Sequence, residues 1–141
     1  MGMTVTYRGG TRYDIQSGRH TVVTDQPVED GGADAGLTPV DLLAGSLASC
    51  VAYYVGSYCR RHDLPHDGFS GAVDYDMAEQ PHRVGRFILT INLPQRLNPF
   101  ERDRLLRVAE GCTVHRTLLH PPEVRIEYPA TEQSVQERQR S

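Results

Sequence analysis

The feature that most constrains the fold of this chain is a long apolar helix predicted between Thr38 and His62. Thr38 is a suitable N-cap, Pro39 takes the first helical position, and Asp41 follows three residues after the cap, where its carboxylate can return a hydrogen bond to the backbone. Apolar side chains then recur at steps of three and four residues, which places them on one helical face: Val40, Leu43, Leu47, Cys50, Val51, Tyr54, Val55 and Tyr58. Because a chain of 141 residues can bury most of its apolar surface in one domain, we expect this helix to form the core.

Strands are predicted on both sides of the helix. Thr4–Arg8 and Arg12–Asp25 are rich in β-branched residues and tyrosine around glycine-containing turns, which predicts two or three short strands. Phe69–Glu79 and Val84–Leu93 alternate apolar and polar residues, which predicts a long antiparallel hairpin. The alternation in Val124–Tyr128 predicts a last strand. We therefore expect an α+β fold in which antiparallel sheets wrap around the long central helix.

A second helix is predicted after the hairpin. Asn98 is its N-cap, Pro99 its first residue, and Gly111 is expected to stop it in the left-handed conformation. The segment Cys112–Leu119 is expected to add one more helical turn.

The remaining segments set the domain organisation. The stretch Gln26–Leu37 has no apolar periodicity and is predicted to be a loop. Residues 1–130 are assigned to one domain and the polar residues 131–141 to a C-terminal tail. Because the apolar stripe of the long helix is broad for so short a chain, we expect a homodimer to complete its burial.

Charge and composition exclude several function classes. The formal charge is −3 and the basic residues are scattered, so we expect no nucleic-acid partner. All fifteen basic residues are arginine, which excludes Schiff-base and P-loop lysine chemistry. No signal segment precedes the first strand, and no window approaches the length of a membrane span, so we expect a cytoplasmic protein without a membrane partner. Three cysteines, an odd number, are better interpreted as free or redox-active thiols than as a structural framework.

The cysteines are the candidate reactive groups. Cys50 lies on the apolar face of the long helix, and Cys112 begins a Cys-x-x-His sequence that ends at His115. Each cysteine can also be explained as a small core residue, and Cys59, which has no accompanying motif, is expected to be inert. Cys50, Cys112 and His115 together are also suggestive of a metal site, but the usual set of four ligands is incomplete. We expect no metal and no cofactor.

Two sequence motifs resemble a known family. The segment Thr38–Cys50, with eleven residues from Pro39 to the cysteine, and the segment Cys112–Leu118 are similar to the cysteine motifs of the OsmC/Ohr family of thiol-dependent peroxidases. The resemblance extends from about Arg12 to Tyr128 and is greater to the OsmC-like branch than to the organic hydroperoxide resistance branch. It implies an intertwined homodimer with active sites at the subunit interface, an organic hydroperoxide or hydrogen peroxide as substrate, and a dithiol such as dihydrolipoamide as reductant.

The resemblance also implies roles for individual residues. Cys50 would attack the peroxide, and Cys112 would resolve the resulting sulfenic acid into a disulfide. His115 would either favour the thiolate of Cys112 or only cap its helical turn. Leu47 and Tyr54, on the same stripe as Cys50, are expected to line the substrate pocket.

A cation is expected beside Cys50, because an apolar environment disfavours a thiolate. In the better-understood branch an N-terminal arginine, held by a glutamate directly after the helix-opening proline, has this role. Here Val40 occupies that position and Asp41 is the nearest carboxylate, with a capping function as its alternative. Arg12 is the preferred cation, with Arg19 as the alternative.

The same fold also suits a non-catalytic binding protein. A relative that keeps a hydrophobic pocket without turnover would bind a small acyl or aromatic ligand. The replacement of the carboxylate after Pro39 by Val40 suits this alternative.

Overall fold

The computed structural model describes residues 2–129, so the predicted tail at residues 131–141 lies outside the described residues. The elements, in chain order, are β1 (Thr4–Tyr7), β2 (Tyr13–Ser17), β3 (His20–Thr24), a 3₁₀ turn (Val28–Asp30), α1 (Pro39–Arg61), β4 (Ser70–Ala78), β5 (Arg83–Asn92), α2 (Pro99–Glu110) and α3 (Thr113–Leu119). The predicted α+β class, with antiparallel sheets and one long helix, is confirmed.

The helix α1 is the centre of the domain. Its N-cap is Thr38, whose hydroxyl accepts the amide of Asp41 at 3.1 Å, and Pro39 takes the first turn as predicted. Its principal packing partners are β4, β5, α2 and α3. The face that they cover is buried: Ala44, Leu47, Val51, Val55, Tyr58 and Cys59. Leu47, Val51, Val55 and Tyr58 belong to the predicted apolar stripe, whereas Leu43 of that stripe is 40% exposed.

By length and composition alone, α1 would qualify as a membrane-spanning helix, contrary to the expectation that no window approaches such a span. Its packing gives it another role in this structure. One face of α1 carries most of the buried cluster of the domain, as expected for the core helix of a globular protein.

The hairpin of β4 and β5 covers the core face of α1. The strands pair antiparallel with Val73 opposite Leu89 and Tyr75 opposite Phe87. Because side chains alternate along a strand, Phe87, Leu89 and Ile91 point the same way, and all three pack against the buried cluster. The predicted hairpin is confirmed.

The strands β1, β2 and β3 form a separate antiparallel sheet in that order. A two-residue turn joins β2 to β3, and Gly18 supplies its positive φ of 57°. Apolar side chains of this N-terminal sheet remain exposed, with Val5 at 61% and Tyr7 at 60% of their full accessibility. The sheet is not among the principal packing partners of α1, so much of its apolar surface is uncovered in the single chain.

The segment between β3 and α1 is more ordered than the predicted loop. It contains the 3₁₀ turn, and the Asp25 side chain, which is 2% exposed, accepts the amides of Gln26, Ala33 and Ala35 and the hydroxyl of Thr11. These hydrogen bonds lower the pKa of Asp25 to about 2. Asp25 thus fixes the path by which the chain enters α1.

The expectation for Gly111 is wrong. Asn98 caps α2 as predicted, but Gly111 has φ −79° and ψ −2°, which is right-handed. Its amide bonds to the carbonyls of Val108 and Ala109, and α3 starts almost at once, with Cys112 as its N-cap. A left-handed stop is not needed because the chain turns directly into another helix.

The predicted last strand is also absent from the described part of the chain, since residues 121–129 form neither strand nor helix. Val124, Ile126 and Tyr128 are 76%, 96% and 90% exposed. A strand forms only where its backbone pairs with a neighbouring strand, and among residues 2–129 this segment pairs with none. The sequence has the alternation of a strand, but the described residues offer this segment no strand to pair with.

Candidate thiol site

The fold brings Cys50 and Cys112 together. Cys50 lies midway along α1 and is half-buried, whereas Cys112 is fully buried at the start of α3. Both belong to the packing cluster of the core, and both are free thiols. Because α1 and α3 pack against each other, residues 62 positions apart in sequence become neighbours.

The surroundings of Cys112 keep it protonated. Burial raises the pKa of the Cys112 thiol, and the neighbouring Cys50 thiol raises it further, while a hydrogen bond from the amide of His115 acts in the opposite direction. Among the described residues, no arginine contributes to this balance. The site is therefore asymmetric, with a sheltered neutral thiol at Cys112 and a more accessible one at Cys50.

His115 supports Cys112 through its backbone. The His115 amide donates to the Cys112 Sγ at 3.2 Å, so the sulfur serves as the capping acceptor of α3. The ring uses Nδ1 to donate to the carbonyl of Glu110 at 2.7 Å. The same amide contact caps the helical turn and acts to lower the pKa of the Cys112 thiol.

Cys59 lies apart from this pair. It follows Cys50 by nine residues on α1, which places it at about 180° around the helix axis. It is fully buried, and burial raises the pKa of its thiol. These surroundings are those of an ordinary core cysteine.

An apolar cavity of about 150 Å³ lies beside the site. Leu47, predicted as a pocket residue, is in its wall, and so is His115. The lining consists of Leu47, Val51, Leu89, Ile91, Leu106, Ala109, Glu110 and His115. Tyr54, the other predicted pocket residue, is not in this wall, and its hydroxyl instead forms a 3.0 Å hydrogen bond with the Thr113 hydroxyl.

The two charged candidates lie outside the thiol pair. Arg12 is exposed directly before β2, where its guanidinium is 3.8 Å from the carboxylate of Asp14. Asp41 accepts the hydroxyl of Tyr75 at 2.6 Å, which ties β4 to the first turn of α1. This hydrogen bond lowers the pKa of Asp41 and raises that of Tyr75.

Among residues 2–129, no cluster of three or more His, Cys, Asp or Glu side chains could hold a metal ion. Cys50, Cys112 and His115 therefore do not form a metal-binding set in this arrangement.

The family follows from a comparison with known sequence families. Residues 31–127 match the family model described as OsmC-like protein, and this span is more than half of the chain. The chain belongs to the OsmC family. The span contains α1, the β4–β5 hairpin and both cysteines of the site. No curated protein sequence matches the chain.

Solved structures with the same fold support this membership. A protein of Psychrobacter arcticus 273-4, named for osmotic stress induction and a detoxification response, is 30% identical with a TM-score of 0.75, covering 82% of this chain and 85% of its own. The OsmC-like protein of Mycoplasma pneumoniae is 16% identical with a TM-score of 0.70, covering 85% and 87%. OhrB of Bacillus subtilis, an organic hydroperoxide resistance protein, is 22% identical with a TM-score of 0.58, covering 83% and 90%. The second and third share the fold with this chain.

Proposed function

We propose that this protein is a cysteine-based peroxidase that reduces organic hydroperoxides, with hydrogen peroxide as a further substrate. The observation that carries the proposal is the meeting of Cys50 and Cys112 at the contact between α1 and α3. The names of related proteins, which refer to hydroperoxide resistance and to a detoxification response, agree with this chemistry.

The asymmetry of the pair assigns the two roles. Cys112 is fully buried and its pKa is raised, so it is a poor first nucleophile. Cys50 is half-buried and lies nearer to solvent, where a peroxide can reach it. Cys50 is therefore the attacking residue and Cys112 the resolving residue.

The reaction uses the two thiols, the hydroperoxide as oxidant and a dithiol as reductant. The Cys50 thiolate attacks the outer oxygen of the hydroperoxide, so that an S–O bond forms, the O–O bond breaks and the alkoxide leaves as an alcohol after taking a proton. The Cys112 thiol then attacks the sulfenic sulfur, which forms the disulfide and releases water. A dithiol such as dihydrolipoamide restores both thiols by exchange and becomes a disulfide itself.

Activation of Cys50 is the role proposed for Arg12. Its guanidinium lies beside Asp14 of the N-terminal sheet, and the exposed apolar side chains of that sheet favour docking against a second copy of the chain. We propose that the working form is a homodimer and that Arg12 reaches the thiol site in that assembly. His115 and Asp41 act as supports, His115 through the cap of α3 and Asp41 through its contact with Tyr75.

The decisive experiment counts thiols before and after one equivalent of an alkyl hydroperoxide. We expect the parent to lose two thiols and to gain a Cys50–Cys112 crosslink that mass spectrometry identifies. Cys50→Ser should lose none, and Cys112→Ser should lose one and accumulate a sulfenic acid. Cys59→Ser is the matched control and should still form the crosslink, after which dihydrolipoamide should restore both thiols faster than a monothiol does.

A binding protein for a small hydrophobic ligand is the second candidate. The apolar cavity of about 150 Å³ that His115 helps to line favours it, because an apolar cavity of that size admits a small aromatic or short acyl group. The same titration separates the two functions. An unchanged thiol count in the parent would reject the peroxidase and leave the binding protein.

A further inference from the structure

One hydrogen bond connects the two elements that carry the reactive cysteines. The Tyr54 and Thr113 hydroxyl oxygens are 3.0 Å apart, although the residues are 59 positions apart in the chain. Tyr54 belongs to α1 and Thr113 is the first residue of α3. The contact therefore joins the two helices directly.

Each partner of this bond lies next to a cysteine. Tyr54 follows Cys50 by four residues, so the two side chains lie on the same face of α1, about one turn apart. Thr113 directly follows Cys112, whose sulfur caps the same turn by accepting the amide of His115. A movement of the Thr113 backbone would thus move the Cys112 thiol relative to Cys50.

The helix that carries Cys112 has little stability of its own. It contains seven residues, none of which is fully buried, and a helix of this length is not stable in isolation. Its position depends on contacts with its neighbours. In the described part of the chain, the bond between Tyr54 and Thr113 is the only side-chain hydrogen bond that joins α3 to α1.

We propose that Tyr54 and Thr113 are positioning residues that hold the Cys112 thiol within reach of the oxidised Cys50, and so set the rate of disulfide formation. This inference rests on the proposed function, since it concerns the second chemical step of that reaction. In this step the Cys112 thiol loses its proton, the S–S bond forms, and the oxygen of the sulfenic acid leaves as water. The rate depends on how often the two sulfur atoms are aligned, which the tie between the helices increases.

Two substitutions remove the bond with little change of shape. Tyr54→Phe keeps the ring that packs against the core, and Thr113→Val keeps the β-branch at the start of α3. Thr113→Ser keeps the hydroxyl and should restore the parent behaviour. Tyr53 and Thr117 are exposed and provide the matched controls Tyr53→Phe and Thr117→Val. The Thr117 hydroxyl donates to the Thr113 carbonyl within α3 and therefore does not join α3 to α1.

The two steps are measured separately. Rapid mixing with an alkyl hydroperoxide gives the rate of sulfenic acid formation, and the later first-order phase gives the rate of disulfide formation. We expect Tyr54→Phe and Thr113→Val to lower the ratio of the second rate to the first by about three- to tenfold, the effect of losing one hydrogen bond. A sulfenic acid reagent such as dimedone should accordingly trap more of both variants than of Thr113→Ser or the two controls. Equal trapping in all five variants would overturn the proposal.

A second measurement separates this proposal from the proposed function. Equilibration with oxidised dithiothreitol measures the effective concentration of Cys50 and Cys112 for each other without any peroxide. We expect Tyr54→Phe to lower this value by about three- to tenfold relative to Tyr53→Phe. If the parent does not react with peroxide but Tyr54→Phe still lowers the effective concentration relative to Tyr53→Phe, the peroxidase is rejected and the positioning role is retained. A parent that forms no Cys50–Cys112 disulfide with either oxidant would reject both.

Discussion

Asp25 illustrates what a single residue contributes to this fold. Its carboxylate organises the segment before α1 by accepting three backbone amides, from Gln26, Ala33 and Ala35, and one hydroxyl, from Thr11. Nothing in the local sequence distinguishes it from the exposed Asp30 or Asp34 of the same segment. The structural role of Asp25 could not be predicted from local sequence, because its partners lie up to 14 residues away. The N-cap of α1 at Thr38 was predictable, since the Asp41 amide that it accepts is only three residues away.

The buried carboxylate predicts a specific acid sensitivity. The pKa of Asp25 is lowered from 3.8 to about 2, so folding favours its charged form. The stabilisation should be complete above about pH 4 and should disappear as the pH falls through about 2. We expect Asp25→Asn to lower the melting temperature at pH 7, because its amide NH₂ cannot accept the backbone amides, and to flatten the decline between pH 4 and pH 2.

Thermal melts from pH 2 to pH 7 test this expectation. Asp34→Asn is the matched control, because Asp34 is an exposed carboxylate of the same segment and accepts no hydrogen bond from the described residues. If the melting temperatures of the parent and of Asp25→Asn fell equally between pH 4 and pH 2, the prediction would be wrong.

At the level of elements, local signals were sufficient for the helices and the hairpin. The starts of α1 and α2 follow from an N-cap, a proline and the apolar periodicity, all of which lie within a few residues of one another. The failures involve partners elsewhere in space. Gly111 was predicted to be left-handed because it is a glycine at the end of a helix, whereas the next helix decides its conformation. Cys112 was recognised for its thiol, but its place as the cap of α3 required the folded backbone.

The cap predicts that Cys112 has a structural role separate from its chemistry. Cys112→Ala removes the acceptor of the His115 amide, and the loss of an N-cap costs about 1 kcal/mol. Cys112→Ser keeps an acceptor at the same position, so it should retain more of the stability of α3. Hydrogen exchange of the His115 amide, followed by NMR, should be about fivefold faster in Cys112→Ala than in Cys112→Ser.

Cys59→Ala controls for the loss of a buried thiol that caps no helix. It should lower the global stability through the cavity it creates, and leave the ratio of His115 exchange to global unfolding unchanged. Equal His115 exchange in Cys112→Ala and Cys112→Ser would show that the sulfur is not an effective cap.

For the molecule as a whole, the sequence predicted more strand pairing and more burial of apolar side chains than one chain provides. The alternating residues of Val124–Tyr128 form no strand, and the N-terminal sheet keeps Val5 and Tyr7 exposed. Periodicity shows which residues are suited to burial, but not whether the covering surface belongs to the same chain. The meeting of Cys50 and Cys112 was likewise beyond local patterns, since no spacing rule joins residues 62 positions apart. The family resemblance of their two motifs is what anticipated it.

These uncovered surfaces predict that the protein is a homodimer. An extended segment with a free backbone and apolar side chains on one face can complete a sheet of a second copy. Ile126 and Arg125 are adjacent in this segment and point to opposite faces in an extended chain. Ile126→Asp should therefore weaken the dimer more than Arg125→Asp. Loss of one buried isoleucine from each of two symmetric copies costs about 3 kcal/mol, or about a hundredfold in Kd.

Sedimentation velocity over a dilution series measures this difference. The parent and Arg125→Asp should sediment at twice the chain mass of 15.8 kDa, and Ile126→Asp should dissociate at higher concentrations than either. Because Arg12 is proposed to reach the thiol site only in the dimer, peroxide consumption by Ile126→Asp should fall in step with the dimer fraction on dilution. A parent that is monomeric across the series and still consumes peroxide would reject both the dimer and this role of Arg12.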